Sequence, residues 1–379
     1  MPPLRVLELL VSTGLGGGPT HVRDLVAGLP REEFALVVAG PAGGPHEPEF
    51  RALGADFVDI RADRLSVGVL LRVVRLVRQR RIQVIHSHGR GAGLYGRIAA
   101  GLTGAVAIHT FHGIHHEGYS RLYLAVERCL VRHSHAVVHV SESQIREARA
   151  LGLAPEKRTR LIINGTDVGR TRATIERAPL SRRALGLEAD ALVLGTVARF
   201  DRVKGLDVLL QAFARLLQRL PRAQLLIVGD GPEGERLRRL GRSLAVEGRI
   251  IFAGFIPEAV RCLPLMDLYV SASRREGLPL ALLEAMGCGL AVVATRAPGQ
   301  VDVVEDGVTG VLVPPGDFEQ LAGVAADLLA DPARRRVLGE AGRRRVETRF
   351  ALSRMLAEIA DLYRGAAAFH SGGLHPPGV

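Results

Sequence analysis

The sequence predicts an α/β protein of two doubly wound, Rossmann-like domains, and three observations carry that reading. Short apolar runs bounded by Gly, Pro and polar residues alternate with longer amphipathic stretches, the pattern of a parallel sheet with helices on both faces. The alternation starts twice, at Leu4 and again at Leu192, and a charged, irregular stretch from Val168 to Leu180 precedes the second start as a candidate linker. A chain of 379 residues, 47% of them hydrophobic, is long enough for two cores of ordinary size.

Composition narrows the chemistry. Cys129, Cys262 and Cys288 are odd in number and scattered, with no C-x-x-C, which argues against a disulfide frame or a zinc site and fits a reducing cytoplasm. Met1 leads into strand-like residues without the pattern of a signal peptide, and no apolar run approaches the ~18 residues of a membrane span. Any membrane contact is expected to be peripheral. The net charge is +11, and residues 1–170 carry 22 basic against 15 acidic side chains, a net +7. Such a balance suits anionic lipid, phosphorylated substrates or nucleic acid. Only Lys157 and Lys204 among the 50 basic residues are lysines, so 48 are arginines and each lysine is informative.

The first series opens with a strand, Leu4 to Val11, that empties into Thr13-Gly14-Leu15-Gly16-Gly17-Gly18-Pro19 before a helix from about Thr20 to Leu29. A dinucleotide fingerprint needs glycine where Pro19 stands, and the next strand, Phe34 to Ala39, ends at Gly40 without an acid for ribose, so an NAD site is not expected. Further strands are expected at Asp56 to Ile60, Gln83 to His86, Val106 to Thr110 and Ala136 to Val140. A helix from about Leu65 to Arg80 puts Leu70, Val73 and Val77 on one side and Arg72, Arg75 and Arg78 on another, as a sheet-covering helix or a membrane-surface one does. His109, His112, His115 and His116 crowd the loop after the fifth strand, where open α/β sheets bind ligands. His112 and His116 have helical metal spacing, but Gly113 favours a loop and no cysteine accompanies them. Ser141 reads as a helix cap.

The second series runs from Leu192–Ala198 into Arg199-Phe200-Asp201-Arg202-Val203-Lys204-Gly205 and a helix to about Leu220. Cations at a helix start oppose its dipole and call for an anion, either Asp201 and Asp207 or a ligand. Leu225–Val228 leads to Gly229-Asp230-Gly231-Pro232-Glu233-Gly234, which fits G-x-G-x-x-G only formally, because Asp230 and Glu233 repel pyrophosphate and Pro232 explains a helix start. The stretch from Ser273 to Thr295 reads as loop, two-turn helix, Gly stop and buried strand. Pro279 suits the first helical position, no Ser, Thr, Asp or Asn precedes it to cap the amides of Leu280 and Ala281, and Glu284 is the single ionisable group in an otherwise apolar, buried helix. An anion at the open amides and a polar partner for Glu284 are both expected; a nucleoside diphosphate supplies both.

In S-x-x-E-G-x-P-x-x-x-x-E-A-x-x-x-G, Glu276 and Glu284 resemble the signature of retaining glycosyltransferases of family 4, which have the GT-B fold of two facing Rossmann-like domains and an interdomain cleft. The resemblance implies that Glu284 holds the ribose hydroxyls of a nucleotide sugar, that Glu276 and Gly277 sit beside the donor sugar, and that the amides of Leu280 and Ala281 meet the phosphates. Arg199 and Lys204, in R-x-x-x-x-K-G, are implied at the diphosphate, where their charge would stabilise the leaving group. Gly16 and Gly17 are implied at the cleft, His112 near the anomeric carbon with His109 as the fallback, and Gly254 and Phe255 at the nucleobase. Leu161–Asp167 is similar to the N-G-x-D segment that leaves the first domain. The domains implied are thus 1–170 for the acceptor, 171–350 for the donor, and 351–379 as a helix from Leu352 to Tyr363 crossing back, then a disordered tail from Gly365. Ala297–Gly307 departs from the G-G-x-x-E pattern, with Pro298 and Asp302 in the matching places.

The implied reaction is transfer of a sugar from an NDP-sugar to a sugar or lipid-linked acceptor with retention of configuration, in bacterial cell-surface glycan or glycolipid synthesis. No D-x-D pair is placed to carry a metal, so neither metal nor cofactor is expected. A sugar-nucleotide epimerase or phosphorylase-like enzyme shares the fold. A basic nucleic-acid binder is the rival of another class, opposed by the two glutamates and by an aromatic content of 4% without tryptophan.

Overall fold

The computed structural model describes residues 2–114 and 120–371, and the chain divides into two compact units, residues 1–164 with 352–379, and residues 165–351. The division after Asn164 falls six residues before the expected boundary at 170. The expected linker is instead largely helical, because Asp167 caps a helix over Val168–Arg177 through the amide of Arg170.

In the first unit β1 (Leu4–Leu10), α1 (Gly17–Gly28), β2 (Phe34–Gly40), α2 (His46–Ala52), β3 (Asp56–Asp59), α3 (Val67–Gln79) and β4 (Val84–His88) are followed by α4 (Arg90–Thr103), β5 (Val106–Phe111), α5 (Arg121–His133), β6 (Ala136–His139), α6 (Glu142–Ala150) and β7 (Thr159–Leu161). The seven strands are all parallel in the order β3-β2-β1-β4-β5-β6-β7. The order reverses at β1 and β4, so the loops leaving Leu10 and His88 flank the position at which such sheets take ligands.

In the second unit α7 (Val168–Arg177), β8 (Val193–Val197), α8 (Leu206–Leu216), β9 (Gln224–Val228), α9 (Gly234–Ser243) and β10 (Ile250–Gly254) precede β11 (Leu268–Ser271), α10 (Leu280–Gly287), β12 (Val292–Thr295), α11 (Gln300–Val303), β13 (Val311–Val313), α12 (Phe318–Ala330) and α13 (Pro332–Arg349). Its six parallel strands run β10-β9-β8-β11-β12-β13 and reverse at β8 and β11. Its core joins Leu194, Leu225, Ile227, Val270 and Val293 of the sheet to Leu209, Phe213, Leu321 and Leu329 of the helices.

The last helix, α14 (Leu352–Ser371), belongs to the first unit. Met355, Ile359, Ala360 and Tyr363 pack on Val6, Val84, Val106 and Ile108. Burying each of the large apolar side chains contributes about 1.5–3 kcal/mol, which holds the helix to the sheet. This helix continues through the Gly365 region, where a disordered tail was expected, because Ala366 still buries itself in the same cluster. Residues 372–379 lie outside the described residues.

Candidate active site

Two loops at the carboxyl ends of β8 and β11 form the first cluster. The Arg274 amide donates to the Val203 carbonyl at 2.7 Å, and its guanidinium grips Asp207 through two 2.9 Å bonds and the Arg202 carbonyl at 2.7 Å. Burial pulls the Asp207 carboxyl upward, but Arg274 and nearby amides outweigh it and hold it below its usual range. Gly205, at φ +63°, passes so close to the other loop that a Cβ would meet the Ala272 carbonyl oxygen at 2.0 Å.

This zippering sets Lys204 opposite Glu276. Lys204 Nζ donates to Glu276 Oε1 at 2.7 Å, and Ser273 Oγ donates to the same oxygen at 2.7 Å. Lys204, for which Asp201, Asp207 or a ligand was the expected counter-ion, is therefore paired instead with Glu276, another of the predicted site residues. Arg199 is exposed and pairs with Asp201 through Nε at 2.8 Å. Asp201 is thus the counter-ion of Arg199, while Asp207 is taken by Arg274.

The segment Ala297–Gly307, which departs from the family pattern, clamps the Glu276 loop from behind. The Glu276 amide donates to the Pro298 carbonyl at 3.1 Å, and Gly299, at φ +80°, leaves no room for a side chain, since a Cβ would lie 2.8 Å from the Glu276 and Gly277 carbonyls. Buried Gln300 donates through Nε2 to the Ser273 carbonyl at 3.1 Å and to Thr295 Oγ1 at 2.6 Å, and Thr295 donates to that same carbonyl. Thr295 and Gln300 were not singled out by sequence reasoning. A polar pair behind an apolar strand was the available signal.

The loop feeds α10, whose start at Pro279 has no side-chain cap, as expected, so the amides of Leu280 and Ala281 are open to an anion. Leu282, Leu283, Ala285 and Met286 are buried, but Glu284 is only half-buried, contrary to the expectation of a fully buried carboxylate: position 284 lies on the α10 stripe with Leu280 and Ala281, which are also half-buried. The Cys288 thiol beyond it is pushed up to about 12, first by burial and then by the Glu284 carboxylate, which removes it as a nucleophile. Gly254 ends β10 and receives the Gly229 amide at 2.8 Å, and Phe255 is 47% exposed, an unusual position for a large aromatic and one open to a ligand face. Asp230 is occupied by the Gly231 amide at 2.7 Å, consistent with a turn rather than a dinucleotide loop.

The second cluster lies at the β1/β4 reversal of the first unit. No side chain caps α1 at Gly16, so Gly16 and Gly17 present bare backbone there. Gly18 packs on the His112 ring, where a Cβ would meet Cδ2 at 3.3 Å. His112 Nε2 lies 2.9 Å from His88 Nδ1, and His88 Nε2 lies 2.8 Å from Glu8 Oε2. Tyr363 from α14 donates to Glu8 Oε1 at 2.5 Å, and its oxygen lies 2.6 Å from His86 Nδ1, whose Nε2 is 2.6 Å from Thr110 Oγ1. His21 bonds Asn164 Oδ1 at 2.9 Å. The fallback His109 alternates to the other face of β5, where it is buried against α4 with Nδ1 3.0 Å from Ser87 Oγ. His115 and His116 lie outside the described residues.

Burial holds His86, His88, His109 and His112 well below the usual imidazole range, and the neighbouring imidazoles add to this at His86, His88 and His112. Burial also raises the Glu8 carboxyl, against the pull of His86, Tyr363 and His21. Among the described residues Glu8, His86 and His88 are the only potential metal-ligand trio with donor atoms within 4.8 Å of one another. Their donor atoms are engaged in the hydrogen bonds just described. Sequence reasoning missed Glu8, His86, His88 and Tyr363. A lone carboxylate inside LRVLELL and histidines two apart in β4 were the legible signals for three of them.

Two parallel-sheet, Rossmann-like units of this kind are those of the GT-B fold. Residues 15–170 match the profile of Glycosyltransferase Family 4 and residues 178–345 that of Glycosyl transferases group 1. The chain is 31% identical over 354 residues to the D-inositol 3-phosphate glycosyltransferase of Thermobispora bispora, covering 87% of this chain and 80% of that protein. It is also 31% identical over 234 residues to the N-acetyl-alpha-D-glucosaminyl L-malate synthase of Bacillus anthracis, spanning 62% of this chain and 60% of that relative. The structure of HepE from Anabaena in complex with UDP-glucose matches with a TM-score of 0.85 at 23% identity, over 96% of this chain and all of that one. The chain belongs to the family 4 glycosyltransferases. These matches favour neither the epimerase nor the nucleic-acid reading.

Proposed function

We propose that the protein transfers a sugar from a nucleoside-diphosphate sugar to a hydroxyl of a sugar or lipid-linked acceptor, with retention of anomeric configuration and without a divalent cation. The observation that carries this reading is the pairing of Lys204 with Glu276 beside the uncapped start of α10, at the β8/β11 reversal. An incoming diphosphate competes with Glu276 for Lys204 and draws on the α10 amides and Arg199, which frees the Glu276 carboxylate for hydroxyls of the donor sugar. Glu284 takes the ribose, and Gly254 and Phe255 meet the base. The anomeric carbon–oxygen bond to the diphosphate breaks, a bond to the acceptor oxygen forms, and the acceptor proton passes to the departing diphosphate. The fixed cations lower the barrier by holding charge that builds on the leaving group. HepE was solved with UDP-glucose, which supports a nucleotide-sugar donor.

The first unit takes the acceptor. A relative named for inositol 3-phosphate fits the net +7 of residues 1–170, which favours an anionic or phosphorylated acceptor. Leu65, Val67 and Leu71 stand exposed on and before α3 beside Arg61, Arg64, Arg72 and Arg75, a surface suited to the anionic face of a membrane carrying a lipid-linked acceptor on the cytoplasmic side. No described helix is long and apolar enough to cross a membrane.

A thermal-shift panel of UDP-, GDP- and ADP-sugars, followed by transfer assays of the stabilising donor with and without EDTA, tests the reading. Donor-dependent stabilisation, product of the donor's own anomeric configuration and full activity in EDTA are expected. Complete loss in EDTA, restored by Mg²⁺ or Mn²⁺, sinks the cation-free mechanism.

A further inference from the structure

We infer that Glu8 is a positioning residue that sets the polarity of the His112 ring: through His88 it places the His112 proton on Nε2 and leaves Nδ1 as a lone pair for a hydroxyl of the bound sugar or acceptor. The inference rests on the glycosyl-transfer reading for its ligand, and on proton counting for its direction.

Five contacts join the cluster: Thr110 to His86, His86 to Tyr363, Tyr363 to Glu8, Glu8 to His88, and His88 to His112, all between 2.5 and 2.9 Å. Each needs one proton. With Glu8 ionised and every histidine neutral, there are five to distribute: the Thr110 and Tyr363 hydroxyls and one on each of three rings. One arrangement then satisfies the whole chain. Thr110 donates to His86 Nε2, His86 Nδ1–H to the Tyr363 oxygen, and Tyr363 to Glu8 Oε1. On the other side His112 Nε2–H donates to His88 Nδ1 and His88 Nε2–H to Glu8 Oε2. Both arms end on the carboxylate, which can only accept.

His112 Nδ1 is thereby stripped of its proton. It is shielded from solvent and has no partner among the described residues. A buried acceptor without a donor is costly, and a ligand hydroxyl removes that cost. A proton on Glu8 Oε2 would be the sixth; it reverses the His88 arm and turns His112 Nδ1 into an N–H donor, which a hydroxyl acceptor atom meets differently. Among the described residues, the groups that face Glu8 and bear on its charge are His86 and His88 from β4, Tyr363 from α14 and His21 from α1.

The test begins with the unmodified protein at pH 7.5. Long-range ¹H–¹⁵N spectra, with the His112 ring identified by its loss in His112→Ala, are expected to show a neutral ring protonated at Nε2. A ring protonated at Nδ1, an imidazolium, or a stoichiometric metal ion held by Glu8, His86 and His88 overturns the inference. The second arm is a double-mutant cycle in the transfer assay. Glu8→Gln is expected to lower kcat/KM at least tenfold with unchanged affinity for the free nucleotide, and less than twofold further once His112 is alanine. Equal losses in both backgrounds overturn it, because Glu8 then acts without His112. If Glu8→Gln fails to fold, the ring spectrum of the unmodified protein decides alone, with His112 protonated at Nε2 upholding the inference and His112 protonated at Nδ1 overturning it. A protein that transfers no sugar from any donor refutes the proposed function alone, since the ring spectrum is read without substrate.

Discussion

The two units share one sheet plan and solve the polar part of their sites with different chemistry. All 13 histidines fall in residues 1–164 or 352–379, and none in 165–351. At its strand reversal the first unit buries a neutral imidazole network around one carboxylate. The second unit places Lys204, Arg199 and Arg274 against Glu276, Asp201 and Asp207 at partly exposed loops. A buried network must stay neutral apart from its single charge, because desolvation penalises every further one. An exposed set of ion pairs can exchange partners at little cost, which suits a site whose ligand is an anion. The comparison teaches that one unit is built to hold a geometry and the other to hand its cations to a ligand.

The largest expected effect breaks the two units apart by pH. A buried imidazole kept neutral has a folded pKa below its unfolded value near 6.5, so its stabilising contribution is complete above 6.5 and is lost as pH falls. Each of His86, His88, His109 and His112 is held neutral by burial, so each opposes folding increasingly as pH falls below that point, by up to about 1.4 kcal/mol per pH unit for a group titrating alone. His139, lowered to about 4, adds to the loss over the same window. Glu8 works in the opposite sense, since its raised pKa favours the protonated native state in acid, and it offsets part of that loss. Hydrogen exchange read by mass spectrometry at pH 7.5 and 5.5 is expected to show the first unit losing protection while the second keeps it. Simultaneous loss removes the distinction.

Next in size, Gly205→Ala is expected to destabilise the second unit by about 2–4 kcal/mol, from left-handed backbone and the clash with the Ala272 carbonyl. Thermal unfolding of that unit measures it, and the first unit's acid transition should not move. Glu284→Gln is expected to weaken nucleotide binding by about 1–3 kcal/mol in calorimetry, the scale of a charge-assisted hydrogen bond. An unchanged affinity takes Glu284 away from the ribose.

The smallest effect sharpens the comparison most. Lys204→Arg keeps the charge, but the compact ammonium that reaches Glu276 Oε1 beside Ser273 becomes a planar fork, and kcat/KM is expected to fall at least about tenfold, or ~1.4 kcal/mol. Lys157→Arg is the silent control. Wild-type kinetics in both variants would leave the rarity of lysine without meaning.

The sequence by itself determined the α/β class, the two βα series, the Ser141 cap, the open start of α10 and the pairing of Glu276 and Glu284 on one short motif. These are local: strand periodicity, capping chemistry and motif spacing are fixed by neighbours in the chain. Only the tertiary structure decided the rest. It joined Lys204 to Glu276 across 72 residues, put the departing Ala297–Gly307 segment behind the Glu276 loop, and brought Tyr363 from the last helix onto Glu8, 355 residues away. It also put His112 against His88 and turned His109 toward Ser87, because strand alternation sends side chains to opposite faces and only packing says which face holds the network. A hydrogen bond needs two groups within about 3 Å, and for groups this far apart in sequence that distance is set by the register of a folded sheet and by no local rule.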